Sequence, residues 1–399
     1  MTMTTPTAPV APPGGDKATL VDLFAAVATV AGDREAMVEC TGTDDAGQPA
    51  VRRATFADLA AAADTLAGEL AAAGVQPGDV VAITLPSGID HAVCHQAALR
   101  AGAVVTAINP RLGPAERSHI MAATTPAAVL DAPLGDLAML AADGDPQRRR
   151  VVRQATDPAT IVWTGGTTGT PKGVVFDHRC QAAMAEAAGP LSAMGDRRLS
   201  PLPFAHVGTM TRLWDEWSHL ITTIVTPTPW TPAAAVALLV AERVTVCQGV
   251  PTQYALLLDH LDQLHATGPG STAASPPGSL RIAGIGGARI PPELVARIEA
   301  TLGVPVVARY ASTETCVATG TTPGDPPDVV ATTVGRPTPP VELQIVDDQG
   351  AAVAPGEGNV GTVCIRSRAV MRHYLPMEPH DPTSAPVSPV DAGGWCHTG

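Results

Sequence analysis

Ten residues, Thr164 to Gly173, hold the chain's most specific chemistry. Read with their flanks, Ile161 to Val175 run I-V-W-T-G-G-T-T-G-T-P-K-G-V-V, and the ten contain four glycines, four threonines, one proline and one lysine. Such a stretch cannot build a core; it offers backbone N–H groups, hydroxyls and one ammonium. Glycine lets the backbone approach a ligand closely, successive amides form an anion-binding concavity, and lysine adds a point charge. The guest that fits is a polyphosphate. The loop is not a Walker A motif: Pro171 stands five residues after Gly166 where a glycine is required, and Gly173 follows Lys172 where Ser or Thr would hold Mg²⁺. Lys172 is also an exception in composition, since only Lys17 and Lys172 are lysines among 25 basic residues. A compact ammonium reaching a phosphate from a tight loop is poorly replaced by a planar guanidinium.

Three further stretches carry polar chemistry. After the apolar run Val304–Ala308 come Arg309, Tyr310, Ala311, Ser312, Thr313 and Glu314, which place an aromatic ring, hydroxyls and a carboxylate within five residues. Together these could stack a base, bond a phosphate and hold a magnesium ion. Leu280–Ala288 reads as a strand ending in the pair Gly286–Gly287, and glycines at the carboxyl end of a strand in an open sheet let a ligand meet the backbone. Leu202 to Gly208 places His206 just after an apolar turn.

T-G-G-T-T-G-T-P-K-G resembles the phosphate-loop signature of the adenylate-forming superfamily, which includes acyl-CoA synthetases, nonribosomal peptide adenylation domains and luciferases. The commoner form has Ser in place of Gly165, and the glycine variant is familiar among acyl-CoA and aryl-CoA ligases. G-V-Q-P-G-D-V-V-A-I-T-L-P-S-G, L-R-A-G-A-V-V-T-A-I-N-P-R-L-G-P-A-E, the L-P-x-x-H segment, G-G-A and Y-A-S-T-E are similar to the superfamily in the same order, and the resemblance spans about residues 18 to 399. It implies ATP-dependent attack of a carboxylate on the α-phosphorus, giving an acyl-adenylate and pyrophosphate, then transfer to a thiol, most simply that of CoA.

The resemblance also distributes roles. Thr164, Gly165, Gly166, Thr167, Thr168, Gly169 and Lys172 would cradle the phosphates, with Glu314 and Thr167 at Mg²⁺. Adenine would lie against Gly286, Gly287 and Ala288 under Tyr310, with Arg309, Ala311, Ser312 and Thr313 completing the nucleotide site and Thr313 bonding the α-phosphate. His206, Val207, Gly208, Trp214, Gly249, Val250 and Ala311 would border the acyl chamber. Ala311 stands where the family has glycine, so its methyl narrows the passage of the substrate carboxylate. Arg289 and Arg309 flank the chamber and suit a substrate with a second polar group; a bulky alicyclic or aromatic acid of secondary metabolism is expected.

The elements that must position these residues follow from periodicity. Leu20, Leu23, Phe24 and Val27 make a helical stripe, and Ala36–Glu39 a short strand. Thr55 with Asp58 is a capping box for a helix that buries Phe56, Leu59, Ala63, Leu66 and Leu70 and stops at Gly74. Val80–Leu85, a helix from Gly88 to Ala101, and Val104–Asn109 form a β-α-β unit whose strands are apolar on both faces. Helices are expected over Asp177–Met194, Ala233–Glu242 and from Pro291, a strand at Val244–Cys247, and loops at His265–Gly278 and Pro376–Asp391. The fold class is α/β: two parallel-type sheets flanked by helices in a five-layer αβαβα core, plus a small antiparallel β-subdomain. Residues 1–17 read as a disordered or loosely attached tail, 18–332 as the large core in two subdomains, and 333–399 as the small subdomain.

In relatives the closing W-x-H-T-G is followed by an aspartate, a hinge and a smaller domain bearing a catalytic lysine. The expectation is therefore the large N-terminal domain of such an enzyme, by truncation or natural division, able to bind ATP but impaired in turnover.

Composition excludes other classes. A formal charge of −13 disfavours nucleic acid and anionic membranes. Arg148, Arg149, Arg150 and Arg153 are a dense basic cluster, read as a solvated loop edge. Seven scattered cysteines show neither metal-ligand spacing nor a disulfide framework, which suits a cytoplasmic protein, and no apolar run is long enough for a membrane span. The resemblance also allows a homodimer. Two alternatives remain at this point: an adenylation domain loading an amino or aryl acid onto a carrier protein, with Asp215 as the candidate to meet an amine, and a non-catalytic adenylate-binding module, which would lack Glu314.

Overall fold

Local rules place the first elements as the sequence predicts. The Thr55 hydroxyl accepts from the Asp58 N–H (3.1 Å) and the Asp58 carboxylate accepts from the Thr55 N–H (2.8 Å). Two donors that a helix start leaves without partners are thereby satisfied. The helix Phe56–Ala72 buries its apolar stripe, and the chain leaves it through Gly74 at φ 98°, a conformation glycine takes without strain. In this computed structural model residues 6–44, 48–142, 151–165, 170–267, 278–356, 358–376 and 388–398 are described.

Among the described residues the strands form sheets of nine, six and three. The six-stranded sheet has Pro158–Trp163, Val104–Ala107, Val80–Ile83 and Ala128–Leu130 in parallel order, with Gly173–Asp177 and then His373–Tyr374 added antiparallel at one edge. Alternation divides its side chains: Val81, Ile83, Val105, Val174 and Phe176 face the layer between the two large sheets, whereas Ala82, Val104, Ile161 and Val175 face away. Both faces are covered, as uninterrupted apolar strands require.

The nine-stranded sheet is parallel across Val306–Ser312, Ile282–Gly286, Val246–Gly249, Arg197–Ser200, Thr222–Val225 and Glu35–Thr43. Antiparallel strands close its edges, Cys316–Gly320 and Arg336–Pro337 on one side and Pro49–Thr55 on the other. Helices Pro232–Ala241, Pro251–Thr267 and Pro292–Leu302 pack on its outer face. Helices Leu20–Ala31, Phe56–Ala72, Ile89–Arg100 and His178–Glu186 fill the space between the sheets, and Pro114–Thr124 covers the far face of the six-stranded sheet through Ile120. The result is the five-layer αβαβα order. Glu342–Val346, Thr362–Arg366 and Cys396–Thr398 form the small antiparallel sheet.

Several details differ from the sequence reading. The helix expected over Asp177–Met194 ends at Glu186, because Gly189 and Pro190 turn the chain into a short 3-10 segment, Gly189–Leu191. Residue Val10 is attached: its N–H donates to the Ser218 carbonyl (2.7 Å) and its side chain packs on the core. His265, Ala266 and Thr267 lie in the helix Pro251–Thr267, and residues 268–277 of the expected loop lie outside the described residues. Within 333–399, Arg336–Pro337 and His373–Tyr374 belong to the large sheets. Arg148, Arg149 and Arg150 lie outside the described residues, while Arg153 pairs with Asp157 at 3.0 Å.

Candidate active site

The phosphate-type loop closes a hairpin. Trp163 pairs with Gly173, the Thr164 N–H donates to the Lys172 carbonyl (3.0 Å), and the Lys172 N–H donates to the Thr164 hydroxyl (3.1 Å). Gly166, Thr167, Thr168 and Gly169 lie outside the described residues. Gly173 is crowded, because a Cβ there would meet Ile161, Trp163 and Leu375 at 3.1–3.2 Å, whereas a Cβ on Gly165 would have no described residue within 4 Å. His119 holds the loop's far side, its Nε2 lying 3.1 Å from the Pro171 carbonyl oxygen.

Thr313 and Glu314 sit in the turn between Val306–Ser312 and Cys316–Gly320. The Thr315 N–H donates to the Ser312 hydroxyl (3.1 Å), the two hydroxyls lie 2.9 Å apart, and Cys316 takes φ 57°. A non-glycine residue in the left-handed region costs of order 1 kcal/mol, so this turn is held by its surroundings. One support is the Met371 N–H, which donates to the Glu314 carbonyl (2.9 Å).

Tyr374 joins loop to turn. Its hydroxyl donates to Glu314 Oε1 (2.8 Å), and Lys172 Nζ lies 5.1 Å from its ring centroid. Burial, and then the bond to Glu314, push the phenol's pKa up. The backbone makes this contact possible: Tyr374 pairs with Val174, and the Leu375 N–H donates to the Gly173 carbonyl (2.7 Å). Sequence reading stopped at Val370–Met371 and missed Tyr374, although only three tyrosines occur in the chain and one already lay in the Tyr310–Glu314 stretch.

The remaining candidates fall at the carboxyl ends of the parallel strands of the nine-stranded sheet. Gly249 pairs with Ile285 and Gly286 with Arg309. A Cβ at Gly286 would lie 2.6 Å from the Arg309 carbonyl oxygen; Gly287 takes φ 79°, with Val250 3.3 Å from where its Cβ would be. Ala288, Ala311 and Arg289 are exposed, and Tyr310 is half-buried. His206 caps the helix Val207–Met210, its Nδ1 accepting from the Gly208 N–H (3.0 Å), which leaves the proton on Nε2. Its imidazole stands at the surface, yet enough protein surrounds it for burial to lower its pKa. Beside it a cavity of about 160 Å³ opens between the strand ends of both sheets, lined by Ser87, Asn109, Arg111, Phe204, Ala205 and Thr226 among others.

Trp214 is buried in the core between the sheets. Asp215 is engaged from every side: its Oδ2 accepts from Arg212 (2.6 Å), Ser192 (2.7 Å) and Arg198 (3.3 Å), and His219 lies 3.2 Å from Oδ1. Burial would raise its pKa, but Arg212 and Arg198 outweigh that and hold it far below the carboxylate range. A carboxylate so occupied does not meet a substrate amine.

The fold, the loop and the acidic turn converge on one family, and the match to the AMP-binding enzyme model covers residues 24–375. The chain belongs to the AMP-binding enzymes. It is 31% identical over 374 residues to a (methyl-dioxo-octahydro-indenyl)propanoyl:CoA ligase of Mycobacterium tuberculosis, covering 83% of this chain and 68% of that protein. The ligase of the same name from Rhodococcus jostii is 32% identical over 251 residues, 61% of this chain and 43% of that one. The fold is similar to the inhibitor-bound N-terminal domain of FACL13 from Mycobacterium tuberculosis, with a TM-score of 0.79, 25% identity, and coverage of 96% of this chain and 95% of that domain. These relatives place the chain in the acyl-CoA ligase branch of the adenylate-forming superfamily. Among the described residues no helix is long and apolar enough to cross a membrane, and no group of three or more His, Cys, Asp or Glu could hold a metal ion unaided.

Proposed function

We propose that this AMP-binding enzyme activates a carboxylic acid with ATP, forming an acyl-adenylate and releasing pyrophosphate, for later transfer to the thiol of CoA. The observation that carries the reading is the path Lys172–Tyr374–Glu314, which joins the cation of the phosphate-type loop to the carboxylate of the acidic turn. A substrate carboxylate is already a nucleophile, so the protein needs to align it with the α-phosphorus and neutralise the phosphates. Thr164, Gly165 and Lys172 offer a backbone N–H, a hydroxyl and an ammonium to the β- and γ-phosphates. Thr313 bonds the α-phosphate, Tyr310 covers adenine, and Gly286, Gly287 and Ala288 form the floor on which the base lies.

Magnesium fits this donor set. Mg²⁺ is usually held by one or two carboxylates plus the substrate's phosphates, and Glu314 supplies one carboxylate whose position Tyr374 and Met371 fix. Bound there, the ion would neutralise phosphate charge. His206, at the mouth with its Nε2–H outward, borders the acid, and the cavity beside it is the way in for an acceptor thiol. The engagement of Asp215 favours CoA ligation of an acid without a recognised amine over amino-acid loading.

Exchange of labelled pyrophosphate into ATP, driven by a panel of acids, tests the reading. Lys172→Ala and Glu314→Gln should each lower exchange roughly 10²–10³-fold while leaving the melting temperature near that of the parent. Unaltered exchange in both variants, or no heat of binding when ATP and magnesium are titrated into the parent, would refute it.

A further inference from the structure

Among the described residues no carboxylate pairs with the half-buried Arg309. Arg309 leaves the strand Val306–Ser312 one residue before Tyr310, and its guanidinium makes one hydrogen bond, Nη1 to the Thr321 carbonyl oxygen at 3.2 Å. Nη2 is shut off from solvent and has no hydrogen-bond partner. Burial, and then the neighbouring cation Arg212, bring its pKa down to about 10. Arg212 and Arg198 share Asp215, at 2.6 and 3.3 Å, and Arg198 also holds Glu216 at 3.1 Å. Three buried or half-buried guanidinium groups thus face two carboxylates, both already engaged. A cation held away from water without a partner is costly, and proteins tolerate it where a ligand completes the pair.

Two glycines stand against the guanidinium. A Cβ at Gly320 would fall 1.5 Å from Nη1, so the guanidinium occupies the space that a side chain at position 320 would take. On the Nη2 side stands Gly189, whose Cβ, were it present, would lie 3.1 Å from Nη2. Arg212 follows the short helix that His206 caps, so the pair lies beyond the mouth of the site along the same chain segment.

We propose that Arg309, with Arg212 beside it, receives a second carboxylate on the substrate, so that the acid this enzyme activates is a dicarboxylic acid. The inference rests on the acid-activating function proposed above and names its substrate class. The adenylated carboxylate lies at the Lys172–Glu314 side, and the distal one enters beside Gly189, where it brings the buried cluster to three cations and three anions. It meets a guanidinium already out of water, where a charge-assisted, bidentate pair is strong.

The experiment compares glutarate, adipate and isophthalate with valerate, hexanoate and benzoate, and with levulinate as the neutral keto match for glutarate, in pyrophosphate exchange and in calorimetric titration without ATP. The parent should use at least one dicarboxylate about 10-fold or more better in kcat/KM than its monocarboxylic match, mostly through KM. Arg309→Met should abolish that preference and melt no lower than the parent, since it removes an uncompensated charge. Arg309→Lys should restore part of the preference and guards against misreading a packing fault. Equal use of mono- and dicarboxylic acids by the parent, or levulinate matching glutarate, would each overturn the proposal. If no acid drives exchange, the function fails, and the recess is still judged: calorimetric binding of a dicarboxylate that Arg309→Met loses supports it, and no binding rejects it.

Discussion

Side chains at two glycines of the same loop meet opposite fates. Among the described residues nothing stands near the Cβ position of Gly165, so Gly165→Ser should leave the melting temperature nearly unchanged, within about 0.5 kcal/mol of stability. Gly173 is walled by Ile161, Trp163 and Leu375, and Gly173→Ala should cost about 1–3 kcal/mol in denaturant unfolding and loosen the strand that carries Tyr374. Equal behaviour of the two variants would show that the hairpin is not packed as described. Burial also decides between chemistry and structure at Cys364. Its Sγ lies 3.3 Å from His397 Nδ1, and His397 Nε2 lies 3.3 Å from Asp391, an order that would suit a nucleophile. The thiol is fully buried, and burial together with Asp391 raises its pKa, so it stays protonated. All seven cysteines are buried and unpaired, so iodoacetamide at neutral pH should label none of them in the folded protein and all of them in denaturant. Rapid native alkylation of Cys364 would contradict this.

At the scale of elements, Asp177 ties three pieces together. Its Oδ1 accepts from the Cys180 N–H (2.8 Å), which caps the helix His178–Glu186, and its carboxylate is shared by Arg372 (2.7 and 3.1 Å) and Arg179 (3.0 Å). Arg372 directly precedes the strand that brings Tyr374 to Glu314. Asp177→Ala leaves those arginines without their carboxylate and should cost about 3 kcal/mol, against about 1 kcal/mol for the exposed cap Thr55→Ala, as read from denaturant midpoints. Comparable losses would mean that Asp177 acts as an ordinary cap. Thr55 was legible because a capping box is local: three residues and two hydrogen bonds define it. The strand pair Val80–Ile83 and Val104–Ala107 was legible for the same reason, apolar runs spaced by one helix. Asp177 was not, since its partner Arg372 lies 195 residues away and nothing in the spacing links them. The over-long helix Asp177–Met194 shows the reverse error, where alanine propensity outvoted Gly189 and Pro190. Candidate site residues were read as separate motifs, and only the strand order brings Gly249, Gly286 and Arg309 side by side.

For the molecule as a whole, the layer between the two large sheets stores a dependence on pH. His91, His95 and His178 are buried there; burial lowers their pKa values to about 4, about 3 and about 4. His91 Nδ1 lies 3.1 Å from the Leu85 carbonyl oxygen and His178 Nδ1 accepts from the Leu20 N–H at 3.2 Å, whereas both ring nitrogens of His95 lack a partner. In the unfolded chain each would take a proton near pH 6.5. Above that, both states are neutral and the histidines do not affect the balance. Between about pH 6.5 and about pH 4 the unfolded chain binds protons that the folded chain refuses, so stability falls as pH falls, by at most about 3 kcal/mol per histidine. His219 works in the other direction: its bond to Asp215 raises its pKa, so its contribution is present below about pH 6.5 and fades as pH rises. The depressed histidines outweigh the raised one, and the melting temperature should drop steeply on acidification through this window. His95→Leu removes one of the three and two unpartnered nitrogens, so its melting curve should decline less between the same limits and converge on or exceed the parent's at the acid end. A parent that keeps a constant melting temperature down to about pH 4, or a His95→Leu variant that declines in parallel with it, would show that protons reach these rings without unfolding the layer.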